Sequence, residues 1–150
     1  MLEIFAPLIE AARGLDLNDP NAARAELESR FPSDGPAAQA LNTELIRRYR
    51  AGELAQRGAP PVRFGRVAKP SPETADHSID VVVMEGAGPR HRHPQGEVDY
   101  CVRLDGDPKF DGQPTGWVVY GPGSEHVPTV SGGEMLIAYL LPQGGIEFLE

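Results

Sequence analysis

A single cysteine, Cys101, occurs in 150 residues, so the chain has no internal disulfide framework and no repeated Cys spacing for a zinc ribbon or an iron–sulfur cluster. A bound metal would have to be held by carboxylates and by the four histidines. Basic residues are also short. There are 14 Lys plus Arg against 22 Asp plus Glu, for a formal net charge of -8, and such a field repels nucleic acid and anionic membrane. No apolar run approaches the roughly 18 to 20 residues that a membrane span requires. The start, Met1-Leu2-Glu3-Ile4-Phe5, has no basic segment of the kind that opens a secretory leader. These absences predict a cytoplasmic protein with neither a nucleic-acid nor a membrane partner.

Turn formers, in contrast, are abundant, with Gly 17 and Pro 15, which suits many short strands joined by tight turns. Hydrophobic residues make up 40% and charged residues 24%, ordinary values for a folded globular chain. Apolar residues recur at helical spacing from 1 to about 58: Leu2, Phe5, Ile9, then Ala23, Leu27, Phe31, then Leu41, Leu45, Tyr49. Asp19-Pro20 offers an N-cap and a first-turn proline, Ser33-Asp34-Gly35-Pro36 opens the third run, and Gly52 closes it. Residues 1–60 carry nine acidic and seven basic side chains, too few cations for a DNA-reading helix-turn-helix. The segment is expected to cap a barrel or a second subunit.

Gly58-Ala59-Pro60-Pro61 marks a change of pattern, which divides the chain into a helical segment, 1–58, and a β domain, 59–150. Candidate strands are 62–67, 78–85, 98–104, 117–120, 134–141 and 146–149. Six or more strands without intervening helices predict a mainly β fold, a sandwich or jelly-roll barrel.

The stretch with chemical content is His91-Arg-His93-Pro-Gln-Gly-Glu97, joined some thirty residues later by Pro122-Gly123-Ser124-Glu125-His126. Residues two apart on a strand share a face, so His91 and His93 present two imidazoles to one ion. Pro94-Gln95-Gly96 can turn the chain and bring Glu97 beside them. His126 is expected at the start of a further strand and has to be brought across by the fold. A lone histidine is usually a surface or core residue, but three of the four here fall in this pattern. Three imidazoles and a carboxylate suit Fe(II), Mn(II), Ni(II), Co(II) or Zn(II) and leave positions open for substrate. His77 is placed in a loop and given no role.

These residues resemble the cupin superfamily, whose first motif has the form Gly-x5-His-x-His-x3–4-Glu-x6-Gly and whose second runs Gly-x5-Pro-x-Gly-x2-His-x3-Asn. Gly86 is one residue too close to His91, Leu104 stands at the last glycine of the first motif, Pro122 and Gly123 are adjacent, and Val130 replaces the terminal Asn. These departures touch turns and not the four ligand positions. The resemblance implies a jelly-roll barrel with a metal inside and a homodimer. A narrower likeness, carried by Arg90 to Glu97, by Tyr120 to His126 and by the helical start, is to the small family that includes 4-hydroxylaminobenzoate lyase. It implies an aromatic carboxylate as the small-molecule substrate, with the metal acting as a Lewis acid on the hydroxylamino group and ammonia and 3,4-dihydroxybenzoate as products.

Strand parity from Glu97 sends Asp99, Cys101 and Arg103 to the metal side and Val98, Tyr100 and Val102 to the other. Asp99 is then a candidate catalytic base or a hydrogen-bond partner of a ligand histidine. Arg103 is a candidate substrate-carboxylate binder or an ordinary surface arginine, and Cys101 is a small core residue. Tyr120 and Trp117 can stack on an aromatic substrate or fill the core. Two further functions fit the same residues: an Fe(II) dioxygenase of a small aromatic or diketone, and a non-catalytic sensor that binds a small ligand.

Overall fold

The structure, a computed structural model, describes residues 1–149. A 3₁₀ turn at Leu2–Phe5 leads into α1 (Ala6–Ala12), followed by α2 (Pro20–Arg30) and α3 (Pro36–Arg50). The predicted caps are in place: the Asp19 side chain accepts from the Ala22 N–H at 3.1 Å, and Pro20 and Pro36 lie in the first turns of α2 and α3. Among the described residues, no helix is long and apolar enough to cross a membrane.

Nine strands follow: β1 (Arg57–Ala59), β2 (Val62–Ala68), β3 (His77–Met84), β4 (His91–His93), β5 (Glu97–Phe110), β6 (Gly116–Tyr120), β7 (Ser124–His126), β8 (Val130–Pro142) and β9 (Glu147–Phe148). They form two antiparallel sheets, one of six strands in the order β1-β2-β3-β8-β5-β6 and one of three in the order β7-β4-β9. The fold is mainly β, a cupin-type jelly-roll barrel with a helical N-terminal segment.

Three local differences from the sequence reading have simple causes. Gly58 and Ala59 pair within β1 and only Pro60-Pro61 forms the turn into β2, so the sheet begins before that segment ends; turn chemistry is the same between strands as between larger units. β5 and β8 run well beyond the 98–104 and 134–141 segments, as a ribbon with two register shifts. Between the two shifts the backbones approach so closely that a Cβ on Gly133 would collide with the Asp105 carbonyl. His77, placed in a loop, instead begins β3, where it is buried with Nδ1 3.1 Å from the Thr74 carbonyl oxygen.

The inner strands of the six-stranded sheet, β3, β8 and β6 with the first half of β5, are largely buried on both faces, whereas β1 and β2 at its edge are not. Ile79, Val81, Val98, Tyr100, Leu136 and Leu140 share one buried cluster with Phe5, Leu8, Leu27 and Leu45 of the helical segment. The helices therefore cover the outer face of this sheet. Trp117 of β6 is fully buried there, its indole N–H donating to the Phe31 carbonyl at 2.9 Å, while Arg24 of α2 donates to the Trp117 carbonyl at 2.9 Å. The alternate residues of the same strands, including Met84, Cys101, Met135, Ile137 and Tyr139, form a second cluster on the inner face.

Candidate metal centre

His91 and His93 lie two residues apart on β4 and share its inward face, as the period of a strand requires. His126 is the last residue of β7, not near its start as expected, because β7 pairs with β4 only over Ser124–His126; that register sets His126 directly opposite His91. A cross-strand pair thus joins two residues thirty-five positions apart. Glu97 arrives from the other sheet. After His93 the chain turns at Gly96, whose φ of +92° suits glycine, and β5 begins at Glu97. A Cβ at Gly96 would come within 2.8 Å of Leu17 Cδ1.

The four donor groups meet inside the barrel. His91 Nε2 lies 2.9 Å from His126 Nε2, His93 Nε2 lies 2.9 Å from Glu97 Oε2, and His126 Nε2 lies 3.0 Å from the same oxygen. One ligand atom from each residue falls within 4.8 Å of all the others. Neighbouring ligands of one ion with bonds of about 2.0–2.2 Å stand about 3 Å apart, so the spacing suits a single divalent cation. His93 and Glu97 are fully buried, and Glu97 Oε1 has no hydrogen-bond partner among the described residues. Such an atom is costly to bury unpaired and a cation would satisfy it. On donor chemistry, spacing and this unpaired oxygen, the residues fit a metal.

The electrostatics divide the histidines: one is ready to bind a cation, and another must first give up a proton. Burial pushes the Glu97 carboxyl up, but hydrogen bonds from His126 and His93 outweigh it and hold the group at about 2. Burial and the neighbouring His93 depress His91 to about 4, so its ring is neutral with a lone pair to give. Burial also opposes the charge on His126, but Asp111 and Glu97 overcome this and lift it to about 9.

Asp111 escaped the sequence reading. It follows β5 at φ +50°, and its Oδ2 lies 2.7 Å from His126 Nδ1 and accepts from the Tyr120 hydroxyl at 2.7 Å, while its Oδ1 accepts from the Thr129 N–H at 2.8 Å. With one proton held on Nδ1 by this carboxylate, Nε2 is the nitrogen that can exchange its proton for a cation. In the sequence Asp111-Gly112 is an ordinary turn signal, and nothing in it marks the aspartate as a partner of His126. Changing Asp111 to Asn keeps an acceptor for Thr129 but removes the charge behind His126. Metal affinity is expected to fall by about 10- to 100-fold, measured by competition with a chromophoric chelator; unaltered affinity would remove Asp111 from the site.

The other candidates divide. Asp99 is fully buried at the next inward position of β5, and neither of its oxygens has a hydrogen-bond partner among the described residues. Burial, reinforced by the adjacent Glu97, pushes its carboxyl well up. It does not bond a ligand imidazole; Asp111 does. Tyr120 stands by the cluster, its ring centroid 4.4 Å from that of His126. Arg103 is not brought to the cluster. It lies just before the first register shift of β5, exposed, with Nε donating to the Gly106 carbonyl at 2.6 Å; the pairing is regular up to Arg103 opposite Met135, but the side chain is taken up by the β5 backbone. Cys101 is buried in the inner cluster, its thiol pushed well up by burial, and Trp117 faces the helices.

Beside the cluster lies a cavity of about 440 Å³ between the sheets, with His91 in its wall and Phe64, Val82, Tyr139, Ile146 and Phe148 among its lining residues. Its size and apolar character suit a small organic ligand.

A family model described as PnbB: 4-hydroxylaminobenzoate lyase matches residues 9–148. A 4-hydroxylaminobenzoate lyase of Pseudomonas putida is 29% identical over 140 residues, which cover 81% of this chain and 80% of that protein. Another, from Nocardioides sp. (strain LMS-CY), is 35% identical over 98 residues, 59% of this chain and 57% of that protein. Among solved structures, an RmlC-like cupin protein from Ralstonia eutropha JMP134 superposes with a TM-score of 0.46 at 16% identity, over 61% of this chain and 62% of that one.

Proposed function

The chain belongs to the 4-hydroxylaminobenzoate lyase family, and from that premise we propose that it is a metal-dependent lyase converting 4-hydroxylaminobenzoate and water to 3,4-dihydroxybenzoate and ammonia. The observation that carries this reading is the family match over residues 9–148, which takes in the end of α1, all of α2 and α3, both sheets and all four metal-binding candidates. The conversion is redox-neutral: the N–O bond breaks, the C–N bond is lost, and two ring carbons end bearing hydroxyls. It needs no dioxygen.

His91, His93, Glu97 and His126 would hold the ion. When bound, it supplies a Lewis acid for the departing hydroxyl. Asp111 keeps the His126 proton on Nδ1, fixing the tautomer and ring orientation. Asp99 lies one inward position from Glu97 with both oxygens unpartnered, where its carboxyl can move a proton between substrate and water. The apolar cavity wall orients the ring and limits bulk water.

Metal-loaded protein is expected to form ammonia and 3,4-dihydroxybenzoate in equal amounts, at the same rate under nitrogen as in air. Unchanged substrate would overturn the reading. Dioxygen uptake matching product formation would make the chain a dioxygenase instead, and a ligand that raises the melting temperature without being altered would make it a sensor.

A further inference from the structure

We propose that Arg66 on β2 receives the carboxylate of the aromatic acid whose opposite end meets the His/Glu cluster; the proposal rests on the reading of the chain as acting on an aromatic carboxylate. Among the described residues, Arg66 is the one Lys or Arg lining the cavity that has His91 in its wall. Cross-strand pairing sets it in a row on the six-stranded sheet, Arg66 opposite Asp80, Asp80 opposite Tyr139, and Tyr139 opposite Asp99. Strands lie about 4.8 Å apart, so the Arg66 and Asp99 backbones are about 14 Å apart. Glu97 is the neighbouring inward residue on β5. A para-substituted benzoate measures about 6 Å from carboxyl carbon to ring substituent by summed bond lengths, and the arginine and cluster side chains take up the rest.

The guanidinium is held and half-used. Its Nε donates to Asp80 Oδ1 at 3.0 Å and its Nη2 to Asp80 Oδ2 at 3.4 Å. Among the described residues, no group accepts from Nη1, which leaves the Nη1/Nη2 edge open for a second, bidentate carboxylate. Asp80 fixes the plane of the fork and offsets its charge, so a bare anion gains little there. A carboxylate on an aromatic body gains in addition from Phe64, Val82 and Phe148 in the same wall. The alternative is a surface ion pair with no ligand; the Arg66 side chain is 49% exposed and that of Asp80 22%, which leaves the open edge accessible.

The test is calorimetric binding of 4-aminobenzoate, which lacks the scissile N–O bond, and of uncharged 4-aminobenzamide to metal-loaded wild type and Arg66→Gln. In the variant the acid is expected to bind about 10- to 100-fold more weakly, the loss of a charge-assisted bidentate contact, while amide binding and metal content hold. The proposal is overturned if acid and amide weaken together, if neither weakens, or if the wild type does not bind the acid. Turnover separates the two readings. Selective loss of acid binding in a protein whose wild type leaves 4-hydroxylaminobenzoate unchanged would end the lyase reading and keep Arg66; full turnover by Arg66→Gln would do the reverse.

Discussion

Replacing Glu97 by Gln is expected to empty the metal centre while leaving the fold intact. The amide matches the carboxylate in shape but removes the single anion among the four donors. The loss in metal affinity should exceed the ~100-fold that marks the upper range for removing a partner behind a ligand. In metal-free protein the same change takes away the buried anion that faces the charged His126, so stability without metal should fall at neutral pH. Thermal melts with and without metal separate these effects. Wild type gains about 4 kcal/mol at a metal concentration of about 1,000 Kd, and Glu97→Gln gains almost nothing. An equal metal-dependent rise in the variant would take Glu97 out of the ligand set.

Trp117→Ala is expected to cost about 3–5 kcal/mol, the range for deleting a large buried aromatic. That is a large share of the roughly 5–15 kcal/mol that holds a domain folded. The ring is fully buried between β6 and the helices, with centroids 5.1 Å from Tyr100 and 6.3 Å from Phe31. Truncation opens a cavity and also strips the Phe31 carbonyl of its indole partner. Urea unfolding followed by circular dichroism reads the loss directly. A shift below about 1 kcal/mol, the size of an ordinary surface change, would mean that the helices do not depend on this contact.

Sequence revealed those parts of the site that follow strand period. His91 and His93 share a face at spacing two, Gly96 turns the chain, and Glu97 and Asp99 then continue inward on β5. The convergence of His126 depends on the β4–β7 register, a long-range pairing that local pattern does not specify. Parity led to Arg103 as the carboxylate binder because it fixes a face but not a distance along the strand: Arg103 keeps its register opposite Met135, yet it is exposed and bonded to the Gly106 carbonyl. Arg66 went unnoticed because exposed arginines on short strands are common, and only the facing of two sheets shows which of them lines a cavity. Asp111 was hidden behind the turn chemistry of an Asp-Gly pair. The helices were readable from their caps and spacing, but their seat on the outer face of the six-stranded sheet was not, because β3, β5 and β8 bury apolar residues on both faces.

X-ray absorption at the edge of the metal carried by protein purified without added ions tests most directly whether His91, His93, Glu97 and His126 share one ion. One metal per chain is predicted, with a first shell of nitrogen and oxygen at about 2.0–2.2 Å and outer scattering from three imidazole rings, reduced to two in His126→Ala. Protein that neither retains nor takes up a stoichiometric metal, or a shell of water oxygens without imidazole scattering, would contradict it.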